Sequence, residues 1–568
     1  VPAAAGSGKT KVLVERVFSY LMEEHCHVDD FLIITYTKAA AAELRGKIAA
    51  ELSKRLAAEP ENRHLQRQTT RIYLAQISTV HAFCASILRD YAHLLDIPAD
   101  FRVAEEQEAA ELRQEVFDAL MEQCYDGHVK AGKPSLPILF ISGAEDACRI
   151  TGAVAPDAAL PPEGYRMRIC TEGPLQSVEI TGATDVSVLY GVSDFVNLVV
   201  PKAEQAHTWM KPYYFRNPFE EGFENMDCVH APQVRRRGLW TWGYVIYDYR
   251  RYLANMARLK LNEIVIWNDY APLNAAEVVA CAHDLGIRVI WGYAWGWDTK
   301  IDVHLSDEPL LARLADEAVE RFEREYAALP GDGIYFQSFT ETAEQELDGR
   351  SIADVVVPWV NGICARILEK RPNLELQFGL HATSVAQKLD RIAQIDPRVR
   401  IVWEDCGAFP YAYLAENVAH AREAEDFTRK FSRLREHGAT GVVTKGMICL
   451  DWTDFVHRAG PERIGECNAG EIAARLPIAR RVMRLTQSYW MQNGAHLQSI
   501  VNLLLQGDPE CQILALMEDG LFETSIWLPT ALFAATLWDS RTPFPQLLTE
   551  TAQRPDVVFA NAPQADTV

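Results

Sequence analysis

Glu341, Glu404 and Asp405 stand at the ends of apolar runs, in "GIYFQSFTE" and "RIVWED", and carboxylates in such places are groups that do acid–base work. A carboxyl that keeps its proton can protonate a leaving oxygen, while an ionised one serves as base or nucleophile; across a sugar, that is cleavage of a glycosidic bond. Tryptophans close other runs: Trp240 and Trp242 in "RGLWTW", Trp295 and Trp297 in "IRVIWGYAWGW", and Trp403 just before Glu404. Their flat faces suit the C–H faces of a sugar ring. Asn268, Asp269, His381 and Lys445 complete the set, the last two as partners for a substrate carboxylate or hydroxyls. Simpler roles compete. Trp240, Trp267 and Trp403 read equally as core fillers, and Asp269 as a cap on the next helix. A second chemistry lies in "AAAGSGKT", where Gly6 and Gly8 shape a turn whose N–H groups cradle phosphates, Lys9 reaches the β and γ phosphates, and Thr10 holds magnesium. ATP and Mg are the cofactors this stretch implies; the carboxylate set implies none, and no metal cluster is expected.

The elements that must position these groups fall into two kinds. From Arg236 onward, apolar strand-like runs alternate with amphipathic helix-like stretches: "RGLWTW", "EIVIWND", "IRVIWGYAW", "GIYFQSFTE", "LELQFGLH", "RIVWED" and "GVVTKGM". Parallel strands buried on both faces read as continuous apolar runs, so seven βα units predict an α/β fold of the (β/α)8 TIM barrel type, with chemistry at the C-terminal strand ends. The eighth strand has no evident place, and residues 471 to 568 read as a helical C-terminal region. Before the barrel (203 to 470), the short strands "PILFISG", "GYRMRIC" and "SVEITG" and a helix "VSVLYGVSDFVNLVV" predict a small α+β domain over 134 to 202. A breaker-rich linker, 127 to 133, separates it from an N-terminal P-loop segment, 1 to 126.

Three stretches of that segment, "AAAGSGKT", "FLIITYTKAAAAELRGKI" and "ISTVHAFCASILRDY", resemble the first three motifs of superfamily 1 helicases of the UvrD-like kind, in particular the AddA-type component of AddAB-type helicase-nucleases. The resemblance implies nucleotide contacts from Gly8, Lys9 and Thr10, with Thr37, Lys38 and His81 near single-stranded DNA. A helicase also needs a paired-acid strand end and an arginine from a second lobe, and the remaining sequence reveals neither. The segment is therefore expected to be inactive as an ATPase. Residues 134 to 540 resemble α-glucuronidases and, more distantly, β-N-acetylhexosaminidases, through "RRGLWTW", "DYRRYLANMARLKLNEIVIWNDYAPLN", "LGIRVIWGYAWGW", "GDGIYFQSFTE" and "VRIVWEDCGAFPY". That resemblance implies a glycosidase with Glu341 as general acid and inversion of configuration; it matches no residue to the base, and Glu404 or Asp405 is assigned as base or nucleophile from strand-end placement. Thr340, where hexosaminidases carry an Asp, argues against substrate-assisted chemistry.

Composition narrows the classes. The 568 residues carry a formal charge of -22, and the first 126 hold 14 basic against 20 acidic residues, which opposes a large nucleic-acid footprint. Twelve cysteines are scattered singly, so neither disulfides nor zinc are indicated and a reducing, cytoplasmic setting is expected. No apolar run reaches the roughly 18 residues of a membrane span, and no signal peptide is visible. The chain thus reads as two unrelated coding pieces joined near residues 124 to 134, as a natural fusion or an assembly artefact. The leading function is a glycoside hydrolase with a carbohydrate substrate and a vestigial helicase fragment; an ATP-dependent helicase-like protein and a non-catalytic carbohydrate-binding barrel are the alternatives.

Overall fold

The computed structural model describes residues 9–22, 26–35, 37–90, 135–136, 148–155, 159–172, 175–203, 222–296, 303–340, 342, 344–380, 382–406, 421–435, 440–447 and 457–560. The chain folds as two compact units, Val1–Gln123 and Cys124–Val568.

In the first unit, helices Lys9–Leu21, Lys38–Ala58, Arg63–Arg71 and Val80–Asp90 surround two parallel strands, Leu32–Thr35 and Gln76–Thr79. Phe18, Leu21, Leu44, Ile48, Leu52 and Ile77 form its core. Thr37 is the N-cap of the second helix, its hydroxyl accepting from the Ala40 N–H at 3.1 Å. Arg45 donates to three carbonyls, of Ile72, Ala75 and Ile77, and so closes the chain between the third helix and the second strand.

The second unit is built on a closed barrel of eight parallel strands: Arg236–Trp242, Glu263–Trp267, Arg288–Ala294, Gly333–Gln337, Glu375–Leu380, Val399–Cys406, Thr440–Met447 and Gln512–Met517. The seven expected strands are all present. The eighth, "QILALM", lies inside the stretch expected to be helical, so the barrel extends well past residue 470. It pairs with both the seventh strand and the first and thereby closes the ring. That stretch also holds the 39-residue helix Ala469–Gly507, started by an Asn468–Glu471 capping box, and the buried helix Leu528–Trp538.

Alternation along each strand sorts the side chains into two environments. Trp240, Trp242, Val265, Trp267, Ile290, Tyr335, Val402, Val443, Leu514 and Leu516 pack inside the barrel, while the residues between them meet the helices. At the N-terminal end of the strands, Arg236 bridges Glu263 at 2.6 Å and Glu375 at 2.8 Å, and Arg288 adds a second bond to Glu375 at 2.6 Å. This charged layer closes the bottom and leaves the opposite end for chemistry.

Ahead of the barrel, a five-stranded sheet runs in the order Ser135–Leu136, Cys148–Val154, Leu175–Gly182, Tyr165–Glu172, Met226–His230. Its last strand lies beyond residue 202, so the α+β layer is longer than the sequence pattern indicates. The expected strand "PILFISG" lies outside the described residues. The covering helix Asp185–Asp194, capped by Thr184, continues through a π-helical turn. By length and composition, Asp185–Ala203 would be long and apolar enough to cross a membrane (mean hydropathy 1.2), which corrects the sequence expectation; half of it is buried inside the protein against the sheet.

Candidate active site

Glu404 lies near the end of the sixth barrel strand and is 6% exposed. Its two carboxylate oxygens each accept a hydrogen bond from the fourth strand: Tyr335 Oη donates to Oε1 and Gln337 Nε2 to Oε2. The side chain therefore crosses over the fifth strand, and Gly379 makes the crossing possible. Gln337 and Val402 flank Gly379 in the register, and a Cβ there would collide with both Glu404 Oε1 and the Tyr335 hydroxyl. Neutral donors on both oxygens favour the ionised carboxylate, while burial opposes it; the group is a candidate base, nucleophile or stabilising charge. Gly379→Ala is expected to displace Glu404 and to lower stability by about 1–3 kcal/mol, as overpacking does; denaturant unfolding checks this.

A recess opens at the ends of the first two strands; its link to Glu404 is Tyr335, whose ring lies 6.4 Å from that of Trp267. The recess is lined by Trp242, Tyr244, Trp267, Asn268, Asp269 and Tyr270 on one side and by Arg458, Gly460 and Glu462 on the other. Asp269 does not cap the next helix, whose N-cap is Asn274. Its carboxylate instead accepts from His457 Nδ1 at 2.9 Å and from the Arg458 N–H at 2.7 Å, which anchors the segment after the seventh strand across the mouth. Arg458 pairs with Glu462 at 2.9 Å and lies 5.7 Å from the centre of the Tyr244 ring. Burial pushes the Glu462 carboxyl up, against the pull of Arg458. The recess thus combines aromatic walls with a carboxyl that holds its proton more tightly than usual.

Trp240 sits one layer below the mouth, stacked on Trp267 (5.8 Å) with its edge against Tyr335; it supports the recess from inside. Trp295 and Trp403 require correction. Trp295 stacks on Phe336, and Trp403 packs against Phe427 and Phe431, in the layer between strands and helices. Neither indole reaches the recess, because each sits one residue out of phase with the inward-facing positions. Glu341, Trp297, His381, Gly6 and Gly8 lie outside the described residues, as do the side chains of Asp405, Lys445, Lys9, Thr10, Lys38 and His81. Thr340, beside Glu341, is fully buried, and its carbonyl accepts from Ser384 Oγ at 2.9 Å and the Thr342 N–H at 2.8 Å. Lys445 lies on the seventh strand, between the strand that carries Glu404 and the one that Glu518 follows. Among the described residues no group of three or more His, Cys, Asp or Glu is arranged to hold a metal ion.

Sequence reasoning missed Tyr335, Gln337, Tyr244, Arg458, Glu462, Glu518 and Asp519. The last two directly follow the eighth strand and are almost fully buried. The pair "ED" at the end of the apolar run "QILALM" was the available signal.

Fold and site together define a (β/α)8 barrel with a tryptophan-and-carboxylate mouth, preceded in the chain by a P-loop segment. Residues 1–150 match the UvrD/REP helicase N-terminal domain family. Over 128 residues the chain is 45% identical to the AddA-type component of an ATP-dependent helicase/nuclease from Lachnoclostridium phytofermentans, covering 22% of this chain and 9% of that protein. The chain therefore spans about a tenth of the length of this curated relative. Among solved structures, a GH138 enzyme targeting pectin rhamnogalacturonan II aligns with TM-score 0.38 and 10% identity over 71% of this chain and 58% of its own. A β-N-acetylhexosaminidase aligns with TM-score 0.42 and 11% identity, over 74% and 93%.

Proposed function

We propose that the barrel is a glycoside hydrolase in which Glu404 acts as the ionised base or nucleophile and Glu341 as the general acid. The observation that carries this reading is the clamp of Tyr335 and Gln337 on Glu404, with Tyr335 set edge-on to Trp267 of the recess wall. Asp405 is the weaker candidate for the base because the clamped group is its neighbour. The substrate is an oligo- or polysaccharide end whose C–H face stacks on the indoles. His381 and Lys445 are proposed as partners for its carboxylate or hydroxyls, and inversion of configuration as the outcome. Aryl glycosides and glucuronosyl oligosaccharides, screened with wild type and Glu341→Gln, test the assignment. Loss of the acid is expected to cost a factor of about 100 to 10,000, least on substrates with good leaving groups. Full activity of Glu341→Gln on a poor leaving group removes Glu341 from that role.

The first unit is proposed to bind nucleotide weakly through Gly6, Gly8, Lys9 and Thr10, without productive hydrolysis. What supports this reading is that the sequence reveals neither a paired-acid strand end nor a second-lobe arginine to serve the phosphate loop. ATP turnover, with and without single-stranded DNA, is expected to stay below about 1 per second, the low end of ordinary enzyme rates. Faster turnover that disappears in Lys9→Ala overturns this.

A further inference from the structure

We propose that Asp519 and Glu523, in the loop after the eighth barrel strand, form a proton-sensitive clamp on the loop that carries Tyr244. The recess is assembled while Glu523 is neutral and loosens when Glu523 ionises. Both ends of one residue are held by this clamp. Glu523 Oε1 accepts from the Tyr247 N–H at 2.7 Å, and Asp519 Oδ2 accepts from the Tyr247 hydroxyl at 3.3 Å and from Arg475 Nε of the long helix. Tyr244, three residues before Tyr247, lines the recess.

The same loop is joined to the segment that carries Arg458 and Glu462. The Cys467 N–H donates to the Tyr247 carbonyl at 3.0 Å, the Tyr249 N–H donates to the Gly465 carbonyl at 3.3 Å, and Asp248 pairs with Glu466 in an isolated β-bridge. Releasing Tyr247 therefore frees two walls of the recess together.

Glu523 is 4% exposed, and its Oε2 has no hydrogen-bond partner among the described residues. The groups around it come from every neighbouring element: Asp519 in its own loop, Tyr247 and the Asp248 backbone after the first strand, Tyr252 on helix Tyr249–Arg258, and Cys467 before the long helix. The nearby cation Arg475 is engaged by Asp519. A charge on Glu523 would thus be buried beside a second carboxylate. Burial pushes Glu523 up to about 8, outweighing the pull of backbone N–H groups, those of Tyr247 and Asp248 among them, and is reinforced by the Asp519 charge; burial also raises Asp519. The folded state holds this proton more tightly than the unfolded chain does, where the ordinary value is 4.5. The clamp is therefore firm at low pH, and its contribution is lost as pH rises from about 4.5 to about 8.

Hydrogen exchange of the Tyr247 amide in the full chain tests this, between about pH 6 and about 9.5 and corrected for intrinsic exchange. Wild type is expected to lose at least about tenfold protection across that range. Glu523→Gln, which mimics the neutral acid, is expected to keep its protection. Asp519→Asn removes the neighbouring like charge and is expected to move the loss to lower pH. Unchanged protection in wild type, or the same loss in Glu523→Gln, overturns the proposal. Only the consequence for saccharide binding rests on the proposed function: a barrel with no glycosidase activity leaves the exchange result standing, and an active barrel without the transition refutes the clamp alone.

Discussion

Lys260→Met is expected to destabilise the second unit by about 3–5 kcal/mol, because it leaves a buried carboxylate without its cation. Lys260 follows helix Tyr249–Arg258 of the barrel, and its ammonium pairs with Asp194 at the end of the helix that covers the preceding sheet. Both residues are 5% exposed. Asp194 also accepts from the Tyr165 hydroxyl, and the Lys260 ammonium lies 4.3 Å from the centre of the Trp538 ring. One ion pair thus joins sheet, covering helix and barrel. Lys260 has a positive φ of 60°, so a substitution to alanine or glycine would mix backbone strain with charge; methionine keeps both the strain and the stem.

The double variant Lys260→Met/Asp194→Asn separates the pair from its surroundings. Asparagine keeps an acceptor for Tyr165, and removing both charges is expected to recover most of the loss, since the large penalty belongs to the unpaired charge. The pair also has a pH signature. Burial pushes the Asp194 carboxyl up, but Lys260 and Tyr165 outweigh it and hold the carboxyl below its ordinary 3.8. Its contribution is therefore present above that value and is lost as pH falls through the depressed one. Denaturant unfolding at neutral and acid pH measures both effects. Equal loss in the single and double variants contradicts the account.

The barrel was legible wherever burial on both strand faces turned the sequence into apolar runs. The eighth strand escaped because "QILALM" is a six-residue run, buried throughout, between two helices, and periodicity alone cannot separate such a run from buried helix. In the site, Glu404 was visible as a strand-end carboxylate, but its donors Tyr335 and Gln337 emerge only from register. Trp295 was misread, and Trp403 was left open between site wall and core filler, because ending a strand does not tell which face a residue takes, and one position of phase exchanges barrel interior for helix layer. The pairing of Asp269 with His457 spans 188 positions of sequence and left no local trace.

Glu404→Gln is expected to lower kcat/KM by a factor of about 100 to 10,000, and the two donors that clamp it should set the pH at which it works. A hydrogen bond donated to a charged group contributes about 1.5–3 kcal/mol, and 1.36 kcal/mol corresponds to one pKa unit. Tyr335→Phe removes the donor to Oε1, and Gln337→Leu the donor to Oε2. Each donor favours the ionised form, so losing either raises the carboxyl's pKa. Activity that needs the anion then fades at higher pH: the acid limb of the kcat/KM profile is expected to move up by about one to two units in each variant. The alkaline limb should stay in place if a different group supplies the proton. Gly379→Ala disturbs the same contact from the strand between, since the added methyl meets both Oε1 and the donating Tyr335 hydroxyl. A purely structural role for Tyr335 and Gln337 would lower the whole profile without displacing its acid limb, and that result would remove Glu404 from the chemistry.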